Sequence, residues 1–271
     1  ESLRPLVILA GGRSSRMKKS LYDINLSETS RKQALERHKS LIELGSSKTP
    51  LLSLLCTEAI KAGIDKIIVV TGSGNQDFLL WHESFGRAHP EVSIDFAVQP
   101  NPLGTADAVE QAMKQFTILQ ESSFIIANGD NLYSKYAFKK ALSHQETPHA
   151  IIAYEAKHLG FDESRIAAFA LIQVDDTNFV EGIIEKPPVH THKDFYDKEG
   201  HLRVSMNLNL VEGGSFYKAI QACPVHPTRG EKELPEAIRI TIREQPKSVY
   251  CHLVFEKLPD LTSAQDLQQF S

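Results

Sequence analysis

Short, uniformly apolar runs alternate with longer stretches of helical spacing, and this alternation sets the expected organisation. Leu6 to Ala10 (LVILA) is apolar throughout and stops at Gly11-Gly12, the pattern of a strand buried on both faces that feeds a loop. Residues 66–71 (KIIVVT), 92–98 and 124–127 repeat that pattern. Between them, apolar spacing predicts helices at about 50–62, 75–88 and 104–118. Pro50 stands where a first helical turn tolerates proline, and Gly104-Thr105 opens the third helix. Strands that alternate with helices predict a parallel sheet covered by helices.

The second half is richer in strands, expected at 149–155, 167–174, 178–185 and 204–211. Helices are expected at about 215–222 and 231–243, then a strand at 247–254 and a short helix from Thr262. No repeat, low-complexity tract or linker divides the chain, so one α/β domain over 1–271 is expected, with halves meeting near residue 148. Two segments read as surface excursions. Lys18 to His38 is polar and basic, with a helix starting at Thr29 as its one periodic feature. Val189 to Leu202 (VHTHKDFYDKEGHL) is polar and rich in histidine. Long excursions in a compact domain often act as lids or binding loops.

Composition adds exclusions. A chain of 271 residues, 41% hydrophobic and 24% charged, has the makeup of a folded globular protein, not of a disordered one. A formal charge of −4 offers no general attraction to nucleic acid or anionic membranes, so neither is an expected partner. Cys56, Cys223 and Cys251 are too scattered for a metal-ligand spacing. Sparse cysteine, no membrane-length apolar run and no leader pattern together lead to the expectation of a cytoplasmic protein.

The first chemistry lies in Leu9-Ala-Gly-Gly-Arg-Ser-Ser-Arg-Met17. A strand ending in glycines lets backbone N–H groups approach a phosphate chain closely, and Arg13 and Arg16 add fixed charge with paired donors. A tight turn with solvated arginines is the alternative. The loop lacks the Gly-Lys-Ser/Thr ending of a P-loop and the spacing of the dinucleotide fingerprint.

This loop resembles the Leu-Ala-x-Gly-x-Gly-Thr/Ser-Arg-Met/Leu signature of the nucleoside-diphosphate-sugar pyrophosphorylases, and also the matching loop of the molybdenum-cofactor guanylyltransferases. The resemblance implies a Rossmann-like, mixed and mainly parallel sheet that binds nucleotide at the carboxyl ends of its strands. The strand-rich C-terminal half, about 149–271, would then face the sugar phosphate. The family's motifs recur in order along the chain. Lys39, in Lys39-Ser-Leu-Ile-Glu, matches the family's triphosphate lysine, with Ser40 replacing the usual proline and Lys18 and Lys19 as rivals. Gln99-Pro-Asn-Pro-Leu-Gly-Thr105 matches the segment whose glutamine and glycine face the nucleobase. A glutamine carries both donor and acceptor, which leaves the base open, and Gly104 would leave room for a flat ring.

By the same resemblance, Asp130 in Asn128-Gly-Asp-Asn131 is a magnesium ligand, and Asp260 in Asp260-Leu-Thr-Ser-Ala-Gln-Asp-Leu267 is the second. In Gly182-Ile-Ile-Glu-Lys-Pro187, Glu185 would accept from sugar hydroxyls and Lys186 would meet the sugar's phosphate. Asn207 and Asn209 fall in the family's Asn-x-Gly region at the sugar pocket. Arg229 to Ile238 reads as mainly structural, and His190-Thr-His192 as solvated rather than as a zinc site. The activity implied is Mg2+-dependent transfer from a nucleoside triphosphate to a sugar 1-phosphate. Leu9, Ala10, Gly11, Gly12, Arg13, Gln99, Gly104 and Thr105 would hold the nucleotide, with Arg16, Lys39 and Lys186 at the reacting phosphates. The alternatives are a molybdenum-cofactor-type guanylyltransferase, a phosphocholine-type cytidylyltransferase and a catalytically silent sugar-nucleotide-binding subunit.

Overall fold

All nine stretches expected to be strands belong to a single nine-stranded sheet. The computed structural model describes residues 4–12, 27–29, 31–32, 38–259 and 261. The first half of the chain runs β1 (Leu6–Leu9), a small hairpin of β2 (Glu43–Leu44) and β3 (Thr49–Pro50), α1 (Leu51–Ala62), β4 (Lys66–Thr71), α2 (Gln76–Ala88), β5 (Ser93–Val98), α3 (Thr105–Gln115), α4 (Ile118–Glu121), β6 (Ser123–Asn128) and α5 (Lys135–Ser143). The second half runs β7 (His149–Glu155), α6 (Glu163–Ile166), β8 (Ala170–Val174), β9 (Val180–Glu185), β10 (Arg203–Glu212), α7 (Gly213–Ala222), α8 (Leu234–Glu244) and β11 (Val249–Val254). The main sheet order is β11-β7-β10-β6-β1-β4-β5, with β8 paired to β10 and β9 to β8. The β1–β4, β1–β6, β4–β5 and β7–β11 pairs are parallel, while β10 lies antiparallel to β6, β7 and β8, and β8 to β9. The sheet is therefore the mixed α/β sheet expected, and it runs through both halves of the chain.

Alternation across the pleat explains why the strands read as unbroken apolar runs. Leu6 and Ile8 of β1 and Ile67 and Val69 of β4 face a core shared with Leu52, Leu55 and Cys56 of α1, Trp81 of α2 and Phe138 of α5. Val7, Ile68 and Val70 point the other way, toward Val109 and Met113 of α3, Phe216 of α7 and Ile238 of α8. A sheet covered on both faces has no polar side to give a period of two.

Three boundaries differ from expectation by three residues, each for a local reason. The helix expected over 104–118 ends at Gln115, whose carboxamide bonds both backbone groups of Val98. The strand expected from 167 begins at 170, because Ala167, Ala168 and Phe169 donate helically to Glu163, Arg165 and Ile166. The helix expected from 231 begins at Leu234, because the Lys232 backbone is bound to Leu103 and Ala106. Glu28, Thr29, Arg31 and Lys32 are helical, whereas the helix expected from Thr262 lies outside the described residues. Among the described residues no helix is long and apolar enough to cross a membrane.

The far side of the sheet carries buried histidines. His149 (2% exposed) accepts the Glu212 N–H on Nδ1, which requires a neutral ring with its proton on Nε2, facing Ser215 Oγ. Burial holds His149 down to about 4. Burial, then His144 with its Nδ1 3.0 Å away, holds His252 at about 4 as well. A folded-state value below the ordinary 6.5 means that the unfolded chain binds more protons between these limits, so stability is full above pH 6.5 and lost as pH falls toward 4. The expected slope is up to about 1.4 kcal/mol per pH unit for His149. Urea unfolding midpoints measured from pH 7.5 down to pH 5 check this, and a midpoint independent of pH would contradict it.

Candidate active site

Strand β1 is where the sheet changes direction of growth, since β4 and β5 follow on one side and β6 on the other. Open α/β sheets form a crevice at the carboxyl ends of strands around such a point. Here the strand ends are tied together by Ala10 N–H to the Val70 carbonyl, Gly129 N–H to that of Leu9, and Gln99 N–H to that of Thr71, at 2.8–2.9 Å. Beyond them opens a cleft of about 660 Å³.

At one end of the cleft, Leu9, Ala10, Gly11 and Gly12 form an edge nearly free of side chains. Gly129 makes the approach beneath it possible. A Cβ there would lie 2.9 Å from the Leu9 carbonyl oxygen and 3.0 Å from Ser40 Oγ. Asp130, one residue on, lines the floor, and Lys39 Nζ sits 3.1 Å from its Oδ2. Lys39 is 8% exposed, on a 3-10 turn over Lys39–Leu41. Ser40 uses the N–H that the family's proline would lack, donating it to His38 Nδ1, while His38 Nε2–H donates to the Gly12 carbonyl. Burial holds the His38 imidazole below its ordinary value, in keeping with a neutral ring that accepts on one nitrogen and donates from the other.

Beside that edge lie Gln99, Gly104 and Thr105, with Gln99 Oε1 on the side of Gly11. Gly104 has φ +106, and a Cβ on it would fall 2.2 Å from the Lys232 carbonyl oxygen. Its lack of a side chain therefore serves contact with the 226–233 loop. Lys232 donates its N–H to Leu103, accepts that of Ala106 and reaches Glu110 with its ammonium, while Thr105 Oγ1 accepts the Leu234 N–H. Arg229, Gly230, Glu231 and Glu233 form a wall of the cleft, so the segment expected to be mainly structural also shapes the site. Burial, then the Glu185 carboxylate, pushes the Glu233 carboxyl up against the pull of Arg229, its ion-pair partner.

The third side is built by a break in β10. Pairing with β7 is irregular between Ser205 and Asn209, and Asn207, with φ +56, lines the cleft there. Tyr133 is fully buried behind it. Its hydroxyl donates to the Met206 carbonyl (2.5 Å) and accepts the Asn128 N–H (3.3 Å), joining the end of β6 to the break.

Two expected sugar-pocket residues are not brought in. Asn209 is 2% exposed, paired in the sheet with Ile126 and Ile151, and faces a small internal cavity with His149 and Phe216. It stands two residues along the strand from Asn207, but beyond the break the side chain belongs to the interior. Lys186 is exposed and does not line the cleft, because it occupies a left-handed turn after β9 (φ +47) with its N–H on the Phe169 carbonyl. Glu185 does not line the cleft either, but its carboxylate is 3.6 Å from Arg229, which does, and 3.4 Å from Arg239. His192 is buried with its ring nitrogen on the Pro187 carbonyl, contrary to the solvated state expected, while His190 is exposed.

Arg13, Arg16, Lys18, Lys19 and Asp260 lie outside the described residues. The neighbours of Asp260 are described. Leu261 N–H donates to the Asp130 carbonyl, and the Pro259 carbonyl accepts the Leu132 N–H. Among the described residues no three or more His, Cys, Asp or Glu side chains are grouped to hold a metal. Sequence patterns gave no signal for Tyr133, His38 or Asp107 (in the first turn of α3), whose roles rest on partners such as Met206, Gly12 and Gln99 that no motif pairs with them.

A family model described as nucleotidyl transferase matches residues 6–253. The bifunctional protein GlmU of Bacillus mycoides is 23% identical over 244 residues, covering 90% of this chain and 45% of that protein. The chain thus spans about half the length of the relatives of this kind. The D-glycero-alpha-D-manno-heptose 1-phosphate guanylyltransferase of Aneurinibacillus thermoaerophilus is 31% identical over 84 residues, covering 31% of this chain and 34% of that one. A crystal structure of UDP-glucose pyrophosphorylase complexed with UDP-glucose superposes with a TM-score of 0.73 at 13% identity, over 98% of this chain and 96% of that one. The fold is shared.

The Tyr133 hydroxyl predicts a contrast between two buried tyrosines. Tyr133→Phe leaves the Met206 carbonyl without its donor and is expected to cost about 1–3 kcal/mol. Tyr154, whose buried hydroxyl has no hydrogen-bond partner among the described residues, should tolerate Tyr154→Phe without loss. Equal unfolding free energies for the two variants would count against the tie between β6 and β10.

Proposed function

The chain belongs to the nucleotidyl transferase family, and we propose that it transfers the nucleotidyl group of a nucleoside triphosphate to a sugar 1-phosphate, releasing pyrophosphate. The observation that carries this is the Lys39–Asp130 pair on the floor of the cleft, beneath the bare glycine edge of β1. A cation and a carboxylate beside unobstructed backbone suit a polyphosphate and the divalent ion that accompanies it.

In this reading the triphosphate lies along Gly11 and Gly12, with its base toward Gln99, Gly104 and Thr105. The acceptor enters past Asn207. A phosphate oxygen of the sugar 1-phosphate forms a bond to the α-phosphorus while the bond from that phosphorus to the α–β bridging oxygen breaks, and pyrophosphate carries the electron pair away. The attacking oxygen is already anionic, so no general base is needed. What the chain supplies is alignment and compensating charge. Lys39 neutralises the departing phosphates, and the motif gives Arg16 the same work.

Asp130 offers the hard carboxylate oxygen that Mg2+ prefers, and the motif adds Asp260. One or two carboxylates together with substrate phosphates form an ordinary Mg2+ site, so the donor type fits. Bound there, the ion would neutralise charge on the phosphate oxygens.

Pyrophosphate release, measured across nucleoside triphosphates and sugar 1-phosphates with and without EDTA, tests the proposal. Turnover is expected with Mg2+ and lost with chelator. Lys39→Ala should lower kcat by about 10²–10³, the usual cost of removing one charge-stabilising donor. Asp130→Asn should remove the Mg2+ response. Nucleotide binding without release from any pair would instead favour the silent binding subunit.

A further inference from the structure

We infer that Asp107 fixes the polarity with which Gln99 meets the nucleobase, so that the cleft selects bases presenting a ring N–H (uracil, thymine or guanine) over those presenting a bare ring nitrogen (cytosine or adenine). The inference rests on the cleft being a nucleoside triphosphate site and adds the class of base to that reading.

A glutamine is ordinarily ambivalent, because its carboxamide can turn to offer either donor or acceptor. Gln99 cannot turn. It is 6% exposed, and its backbone N–H is fixed on the Thr71 carbonyl. Its Nε2 lies 3.0 Å from the Gly104 carbonyl oxygen and 2.7 Å from Asp107 Oδ2. Both of those oxygens are acceptors, so the reversed amide would set three acceptors against one another in a buried space. Asp107 is held independently of any nucleotide. It is 7% exposed, and its Oδ1 accepts from Gln111 Nε2 one helical turn away (3.2 Å).

With both amide hydrogens turned inward, Oε1 is the atom presented to the cleft. It lies on the side of Gly11, 3.5 Å from where a Cβ on that residue would stand. Uracil and thymine donate from N3 and guanine from N1. Cytosine N3 and adenine N1 bring a lone pair to the same place and are repelled.

The test measures kcat/KM and equilibrium binding for UTP, dTTP, GTP, CTP and ATP with the full chain. At least one of the first three is expected to exceed both CTP and ATP by about 100-fold or more, because a site built around a hydrogen bond strongly rejects analogues that lack it. Asp107→Asn, near-isosteric and able to turn its own amide to suit either orientation of Gln99, should shrink that ratio about tenfold or more. A wild-type preference for CTP or ATP overturns the inference and leaves the transferase reading standing. Unchanged selectivity in a folded Asp107→Asn variant overturns the part given to Asp107. Neither binding nor turnover with any triphosphate sinks the reading of the cleft, and the inference with it. The wild-type panel decides the base class whatever the variant's stability.

Discussion

The close approach of β1 and β6 at their carboxyl ends is the constraint from which the site follows. Gly129 sits where a methyl group would collide with the Leu9 carbonyl oxygen and Ser40 Oγ. Because that space stays empty, the Lys39 turn packs directly under the glycine edge, and Asp130 emerges beside the lysine ammonium. A side chain at 129 would push the floor from the edge, and the cation, the carboxylate and the bare backbone would no longer face one volume. In an ordinary turn the glycine is a matter of φ, but here it is a matter of room.

The remaining walls are held by hydrogen bonds among their own residues and their neighbours. His38 links the Gly12 carbonyl to the Ser40 N–H, Tyr133 spans β6 and the break in β10, and Lys232 pins Gly104 through backbone contacts. Such supports matter most for a reaction that needs no nucleophilic or basic side chain, since its acceleration must come from groups already in place when the substrates arrive. The cost is visible in the backbone, where Asn207 adopts a left-handed conformation at the cleft.

How much could be read from the sequence divides along a physical line. The nine strands were legible because a sheet covered on both faces demands uninterrupted apolar runs, and the pleat sends Val7 and Ile8 to opposite cores. Gly11, Lys39 and Asp130, picked out by the family resemblance, do line one cleft. The misplacements came where register decides. Asn207 and Asn209 look equivalent two apart on a strand, until an irregularity near residue 207 sends one to the cleft and the other to the interior. The 229–233 wall was missed because its charged residues resemble any solvated helix start. It is contact with Gly104, more than a hundred residues away in the chain, that makes them part of the site.

That contact also changes what Gly104 is for. It lines the cleft, and the place a Cβ would take is filled by the Lys232 carbonyl. Gly104 also supplies geometry. Its own carbonyl becomes one of the two acceptors that hold the Gln99 carboxamide, and the other is Asp107, three residues along the helix that Gly104 begins. The loop at 226–233, the start of α3 and the Gln99 carboxamide are therefore one mechanical unit. A change in any of them reaches the Gln99 amide. Selectivity in such a site is set by which atoms are already spoken for, and a motif that names only Gln99 and Gly104 cannot reveal it.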